Sequence, residues 1–358
     1  ECMHMQEALE VSILTTMEIR AAMSCMQNLI ILTIFHNREE HTLKRDKELE
    51  KILAESIKDV TINLHESKNY EEQIEKSALL SASSKMYREV KDDFYKIFTV
   101  NSLSAIIENA SFQEVLSYMA GEALFFAYDQ TGDERYKNFI CELAEKLLKR
   151  TRNSDGVFAG NDEAKETDLS DAYERLPFYM NYETKFGGKE HYSDVVKQYQ
   201  AVRAAKRCEK CGLYNNNSDL EVALYMASMI DTMEVTDQPV YEIFAGVKEI
   251  FKETFAALKE QGKLGTAEEL KEDQLTAKLV LLYALLKGCR MKAILSEKYE
   301  EELNRMTEQA FSMLKAQGKA VFKNHHMLLA ATMMAYAESI KERSYQVYGR
   351  NKGGAIWS

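Results

Sequence analysis

From Phe112 onward the chain repeats one unit: a run with helical hydrophobic spacing, a short turn, and a tyrosine that opens a second helical run. The turns read TGDERY at Tyr136, FGGKEHY at Tyr192, TDQPVY at Tyr241 and LSEKY at Tyr299, roughly every 50–60 residues. A helical hairpin of this size cannot bury its apolar faces alone, so successive hairpins must stack. The spacing predicts paired helices over 112–128 and 133–150, 168–184 and 189–206, 218–234 and 238–261, and 270–292 and 296–316, with a last helix over 325–341. Counted with helices expected earlier in the chain, this gives about six hairpins. Such a set suits either an open α-solenoid or a closed α/α toroid, and periodicity does not separate the two.

Two prolines and 15 glycines among 358 residues agree with long helices and argue against sheets joined by many turns. Before the repeats, helical spacing runs from Met5 to about His36, through the charged stretch Glu39 to His65, and from Tyr70 to about Phe98, with a short helix following to Asn109. The expectation is an all-α chain of one domain over 1–358, with the hairpins in 112–341. The placement of 1–110 is left open, with room for an extra N-terminal hairpin.

A formal net charge of −11 argues against an extended nucleic-acid surface, because phosphate binding needs clustered lysine and arginine. A local cationic pocket for a small acid remains compatible with it. No stretch approaches the roughly 20 apolar residues of a membrane span, and the longest apolar run, Leu29 to Phe35, is interrupted by Thr33. Six cysteines in a long helical chain do not form a disulfide framework, and nothing after Glu1 has the order of a secretory signal, so a reducing cytoplasm is the expected compartment. Oligomeric state is not legible.

No Gly-rich phosphate loop, G-x-S-x-G elbow or H-E-x-x-H pair occurs, and no cofactor or metal is expected. Cys208-Glu209-Lys210-Cys211 has no second pair to complete a zinc site, and His325-His326 are adjacent, so both rings cannot meet one ligand from a helix. The methionine groups at 226, 229 and 233 and at 327, 333 and 334 read as core filling.

Chemistry is expected in the stretch Arg150 to Tyr182, where a loop rich in Gly, Asn, Asp and Ser turns into an amphipathic helix containing Pro177. Asp162, Glu163, Glu166, Asp168 and Asp171 gather there. Carboxylates at a helix start also serve as caps and favour the helix dipole. The alternative is that one is a general acid or base at a cavity mouth.

Several segments resemble the unsaturated glucuronyl and rhamnogalacturonyl hydrolases of glycoside hydrolase families 88 and 105. They are LFFAYDQTGDERY, LLKRTRNSDGVF followed by DAYERLPFYMNY, CGLY at 211–214, LVLLYALLKGCRMKAIL at 279–295 and the final HHMLLAATMMAYAE. The resemblance spans about 112–338 and implies an (α/α)6 toroid, that is, a closed six-hairpin barrel.

It also implies a reaction in which an aspartate protonates the C4–C5 double bond of an unsaturated uronic acid, water adds, and the glycosidic bond then falls apart. The family motif resembles W-[LI]-D-x-L-Y-M-x-x-P-F after a G-G-F-W-H-like loop. Counting forward from Gly156-Val157-Phe158 places Asp171 at the acid position, whereas counting back from Tyr173 and Pro177-Phe178 places Ser170 there. The resemblance makes Asp171 the catalytic residue, with Asp168, Tyr173 and Arg175 beside it, Phe158 in the loop, and Arg152, Lys165 or Arg175 available to a uronate carboxylate.

This chain departs from the family pattern at several points. A second family aspartate falls at about Leu116, Phe158 is followed by Ala159-Gly160 in place of Trp-His, and the long segment after G-L-Y is cut to NNNSDLEVALY. Gln274-Leu275-Thr276 alone matches an E-[TA]-S-like motif. The expected partner is a small anionic carbohydrate, and the expected function is a divergent glycoside hydrolase. A catalytically silent relative that binds a carbohydrate or a protein partner is the other reading.

Overall fold

The computed structural model describes residues 43–60, 62, 67, 69–109, 116–154, 156–158, 169–214, 217–237, 241–271 and 274–341. Lys44–Ser358 forms a compact unit. Among the described residues there are twelve α-helices and no strand: α1 (Lys47–Lys58), α2 (Tyr70–Val90), α3 (Asp93–Ile107), α4 (Gly121–Thr131), α5 (Glu134–Leu148), α6 (Leu169–Lys185), α7 (Tyr192–Lys206), α8 (Asp219–Val235), α9 (Tyr241–Glu260), α10 (Leu275–Arg290), α11 (Ser296–Gln317) and α12 (His326–Ser339).

Local chemistry sets many of these starts. Asp46, Asn69, Asp92, Asp133 and Ser218 each accept hydrogen bonds from amides of the first turn, and Ser218 with Glu221 forms a reciprocal capping box. Two expectations are corrected. The run from Tyr70 to Phe98 is two helices, because Lys91 adopts a left-handed conformation (φ 60°) and Asp92 caps a new helix at the Phe94 amide. Helix α4 starts at Gly121 rather than 112, because Ser117 caps a short 3-10 turn, Tyr118–Ala120, that precedes it. The helix expected over Met5 to His36 lies outside the described residues.

The helices form two layers. Inner helices α2, α4, α6, α8, α10 and α12 pack in sequence, and α12 returns to pack on α2, which closes the ring. Outer helices α3, α5, α7, α9 and α11 each follow their inner partner, while α1 packs against α11 and α12 and so completes the sixth hairpin from the other end of the sequence. The toroid implied by the resemblance is therefore the observed architecture, with α1 to α3 built into it.

The difference between the layers is one of composition. Outer helices bury a stripe, such as Tyr136, Phe139, Ile140, Leu143, Ala144 and Leu147 on α5. Inner helices are buried nearly all round, as with Leu279–Cys289 on α10 and Met327–Ala337 on α12. Each fully buried large apolar side chain stabilises by about 1.5–3 kcal/mol, so the inner ring holds most of the hydrophobic driving force. Close approach between layers and neighbours needs small residues. A Cβ at Gly288 would lie 2.9 Å from the Phe251 ring, and one at Gly121 would lie 3.0 Å from Phe178 Cβ.

Candidate active site

The inner ring encloses a cavity of about 220 Å³. Because inner helices alternate with outer ones running back, the inner helices point the same way along the ring, with α4 beginning about halfway along α6, at the level of Phe178. At the end where α6 begins the cavity wall carries Tyr118, Tyr173 and Glu174; towards the other it carries Lys85, Arg88, Glu122, Asp129, Lys185, Asp231 and Glu234. Phe125, Pro177 and Phe178 line the middle, with Phe178 5.3 Å from the Tyr118 ring and 5.8 Å from Phe125. Aromatic faces in a largely apolar wall with a few polar groups are the ordinary make-up of a small-molecule site.

Helix α6 supplies the largest share of this wall. Its residues 173, 174, 177, 178, 181 and 185 recur at helical spacing along the cavity, and Pro177 withdraws one rung of its hydrogen-bond ladder. Glu174 is only 2% exposed, and Tyr70 at the start of α2 donates its phenol proton to Glu174 Oε2 at 2.6 Å. Arg175, also buried, places Nη2 3.9 Å from the same oxygen. Burial, and then the Glu174 charge, push the Tyr70 phenol well above its usual value.

At the far end, charges gathered around the buried Lys287 form a network across five inner helices, with Asp231 and Glu234 partly open. Lys287 is 1% exposed, and its ammonium lies 2.5 Å from both Asp231 and Glu234. Tyr283 donates to Asp231, Lys85 and Arg88 both meet Glu122, and Arg290 bridges Glu234 at 2.8 Å and Glu338 at 2.6 Å. Burial alone would raise the carboxyls of Asp231 and Glu234, but the Lys287 charge, with Lys85 and Arg290, outweighs it and holds both below the usual carboxylate range.

The residues singled out by sequence fall in different places. Tyr173 lines the cavity and Arg175 is buried beside Glu174. Asp171 is the third residue of α6, preceded by a half-buried Ser170; the Asp171 side chain, Asp168 and Lys165 lie outside the described residues. Phe158 is wholly buried, 6.0 Å from the Tyr179 ring, and its amide donates to Gln198. Arg152 stacks over Phe158 at 4.5 Å, forks onto Asp194 at 2.9 and 2.8 Å, and donates to the Gly156 carbonyl at 2.7 Å. This pair pins the loop onto α7. Burial would raise the Asp194 carboxyl, and the Arg152 fork with Gln198 and Tyr179 brings it below its ordinary value.

Sequence reasoning did not single out Glu174, Tyr70, Tyr118 or the Lys287 network. The available signal was position: Glu174 shares a helical face with Pro177 and Phe178, and Lys287 interrupts the apolar run LVLLYALLKGC.

A second groove, about 640 Å³, lies between Cys211–Tyr214, the segment 262–271 and the starts of α8 and α10. Lys278 reaches across it to the Leu264 carbonyl at 2.6 Å. Cys141, Cys208 and Cys211 are half-buried and Cys289 is buried. No group of side chains able to hold a metal occurs among the described residues, and no described helix is long and apolar enough to cross a membrane.

Comparison with known proteins agrees with this architecture. No curated protein matches the chain. Among solved structures, a Clostridium acetobutylicum ATCC 824 glycoside hydrolase from family 105 superposes with a TM-score of 0.68 at 18% identity, covering 82% of this chain and 99% of that one. At that identity the likeness establishes the fold. The model of Glycosyl Hydrolase Family 88 matches residues 48–228, just over half of the 358, and takes in α1 to α7 with most of the cavity wall. With a family match of that extent on a ring of six helical hairpins, the chain belongs to glycoside hydrolase family 88, within the 88/105 unsaturated glucuronyl hydrolase-like group.

Proposed function

We propose that the protein hydrates the C4–C5 double bond of an unsaturated uronic acid at the end of a small anionic oligosaccharide, with Asp171 as acid/base. The observation that carries this reading is α6: it begins two residues before Asp171 and presents Tyr173, Pro177 and Phe178, the frame of the resemblance, to the central cavity. Asp171 would give its proton to C4, and water would add at C5 and return a proton to the carboxylate. The hydrated ring then opens and releases the glycosidic oxygen.

Arg175 is the cation proposed for the uronate, with Asp168 and Tyr173 contacting the ring. Arg152 and Phe158 would act on the substrate through the loop that they hold. The setting proposed is the cytoplasm, on fragments small enough to enter the cavity, with a single toroid domain doing the work.

The test is incubation with an unsaturated uronyl disaccharide while following the ultraviolet absorbance of the double bond. The wild type is expected to consume the absorbance, and Asp171→Asn to slow it by about 10²-fold or more. A wild type that leaves the absorbance intact rejects hydration and favours the silent, binding-only relative. Equal rates in wild type and Asp171→Asn reject the role of Asp171.

A further inference from the structure

The groove beside Cys211–Tyr214, at about 640 Å³, has the size of a small-molecule site. Tyr214, Val222, Leu258 and Leu281, all buried, give it an apolar wall. Helix α8 stands between it and the central cavity: Asp219, Val222 and Ala223 line the groove, whereas Leu224, Ala227 and Ser228 line the cavity. The groove is therefore a separate place on the molecule.

Lys278 is its half-buried cation. It shares one face of α10 with Ala277 and Leu281, at helical spacing, and Gln274 continues that face at the N-cap. The Lys278 ammonium donates to the carbonyls of Lys263 at 3.1 Å and Leu264 at 2.6 Å, and among the described residues it meets no carboxylate. The buried Lys76, Lys85 and Lys287 each do. Asp219 and Glu269, which also line the groove, are engaged elsewhere: Asp219 faces Lys263 at 3.4 Å, and Glu269 accepts from the Thr266 amide at 3.1 Å. Burial lowers the Lys278 ammonium from its ordinary value, and the attraction of Asp219 and Glu269 does not restore it.

Two carbonyls fix this ammonium without offsetting its charge, and they use two of its three donors. The third suits one oxygen of an anion whose body is apolar. A carboxylate fits better than a phosphate, which is usually held by arginine forks or several donors at once, and no arginine occurs among the described residues that line the groove.

We propose that this groove binds a small monocarboxylate with an aromatic or aliphatic body, its carboxylate on Lys278 and its body against Tyr214, Val222 and Leu281. The site does not rest on the carbohydrate reading above and is tested apart from it.

The probes are phenylpropionate and its uncharged amide, phenylpropionamide, titrated into the full chain and followed by ligand-observed NMR. The wild type is expected to bind the acid about tenfold more tightly than the amide, the ratio set by a hydrogen bond to a charged group. Lys278→Met should raise Kd of the acid to that of the amide and leave the amide unchanged, while Lys278→Arg should keep the preference. Ala277→Phe fills the groove and leaves the charge in place; it should weaken both probes about tenfold or more, and it decides the matter if Lys278→Met does not fold. An excess of unsaturated uronyl disaccharide should displace neither probe. Failure of the wild type to bind the acid, or equal affinity for acid and amide, overturns the inference. So does an unchanged Kd of the acid on Lys278→Met, an unchanged Kd on Ala277→Phe where Lys278→Met is unfolded, or displacement by the disaccharide, which would put the probe in the central cavity.

Discussion

Lys287 sits in the middle of an apolar helix, yet its ammonium touches Asp231 and Glu234 at 2.5 Å and stands over the Tyr283 ring at 5.4 Å. Removing one member of a fully buried ion pair leaves the other charged and unsolvated, at a cost of about 3–5 kcal/mol, but here Asp231 and Glu234 keep 24% and 33% of their side chains exposed. Lys85 at 3.7 Å from Asp231 and Arg290 at 2.8 Å from Glu234 remain to compensate, which sets Lys287→Met near the bottom of that range. Urea unfolding should show a loss of about 3 kcal/mol. A loss of under about 1 kcal/mol, the size of an exposed pair, would mean that the network is effectively solvated. Lys287, and Glu174 on the cavity wall, mark how far a sequence can be read at this scale. A lysine or glutamate at helical spacing is normally a solvated face, so Glu174 and Lys287 take their meaning from which helices surround them. Asp171 was legible only through a motif whose two ends disagree by one residue about the acid position.

At the scale of elements, helix starts were legible where a cap residue announced them, as at Asp133 and Ser218, and also at the uncapped Ser296, whereas the uncapped start after His191 falls three residues later than the expected 189. Ring closure was not legible, because its contacts join residues about as far apart as the chain allows. The Asp46 amide donates to Tyr336 Oη at 2.8 Å, Tyr336 donates to Glu50 at 2.8 Å, and Lys315 meets Asp46 at 2.6 Å. No local pattern encodes a bond between α1 and α12, which is why spacing left solenoid and toroid equal. Tyr336→Phe removes the hydroxyl that serves both groups and should cost about 1–3 kcal/mol. The loss belongs to the seam: amides of Lys47–Lys58 should exchange faster with solvent while those of Asp219–Val235 keep their protection. Uniform acceleration in both helices would mean that α1 opens only when the whole ring unfolds.

For the whole molecule, the ring gives its two ends different electrostatics, and this makes stability depend on pH in a defined direction. Burial opposes the charged form of Glu50, yet Arg45, Lys47 and Tyr336 hold its carboxyl at about 2, against an ordinary 4.5. Asp46, Asp194, Asp231 and Glu234 also lie below their ordinary values, with lysine or arginine overriding burial in each case. A carboxyl depressed by folding contributes stability that is present above its unfolded pKa and is lost as pH falls through the folded one. Lys287 has the opposite sign: its raised value contributes below its unfolded pKa and is lost only far into the alkaline range. The urea midpoint should therefore ease slightly below about pH 6.5, where burial keeps His326 from protonating, and fall steadily below about pH 4.5. Well-exposed pairs such as Lys319 with Asp59 add little to this and are screened by salt, whereas pairs with a buried member, such as Lys287 with Asp231, are screened much less. The acid limb should accordingly survive in about 0.5 M sodium chloride, where the Debye length is only a few ångströms. A limb that salt erases would assign the pH dependence to the surface, and the buried network would then hold the inner helices in register without governing their stability.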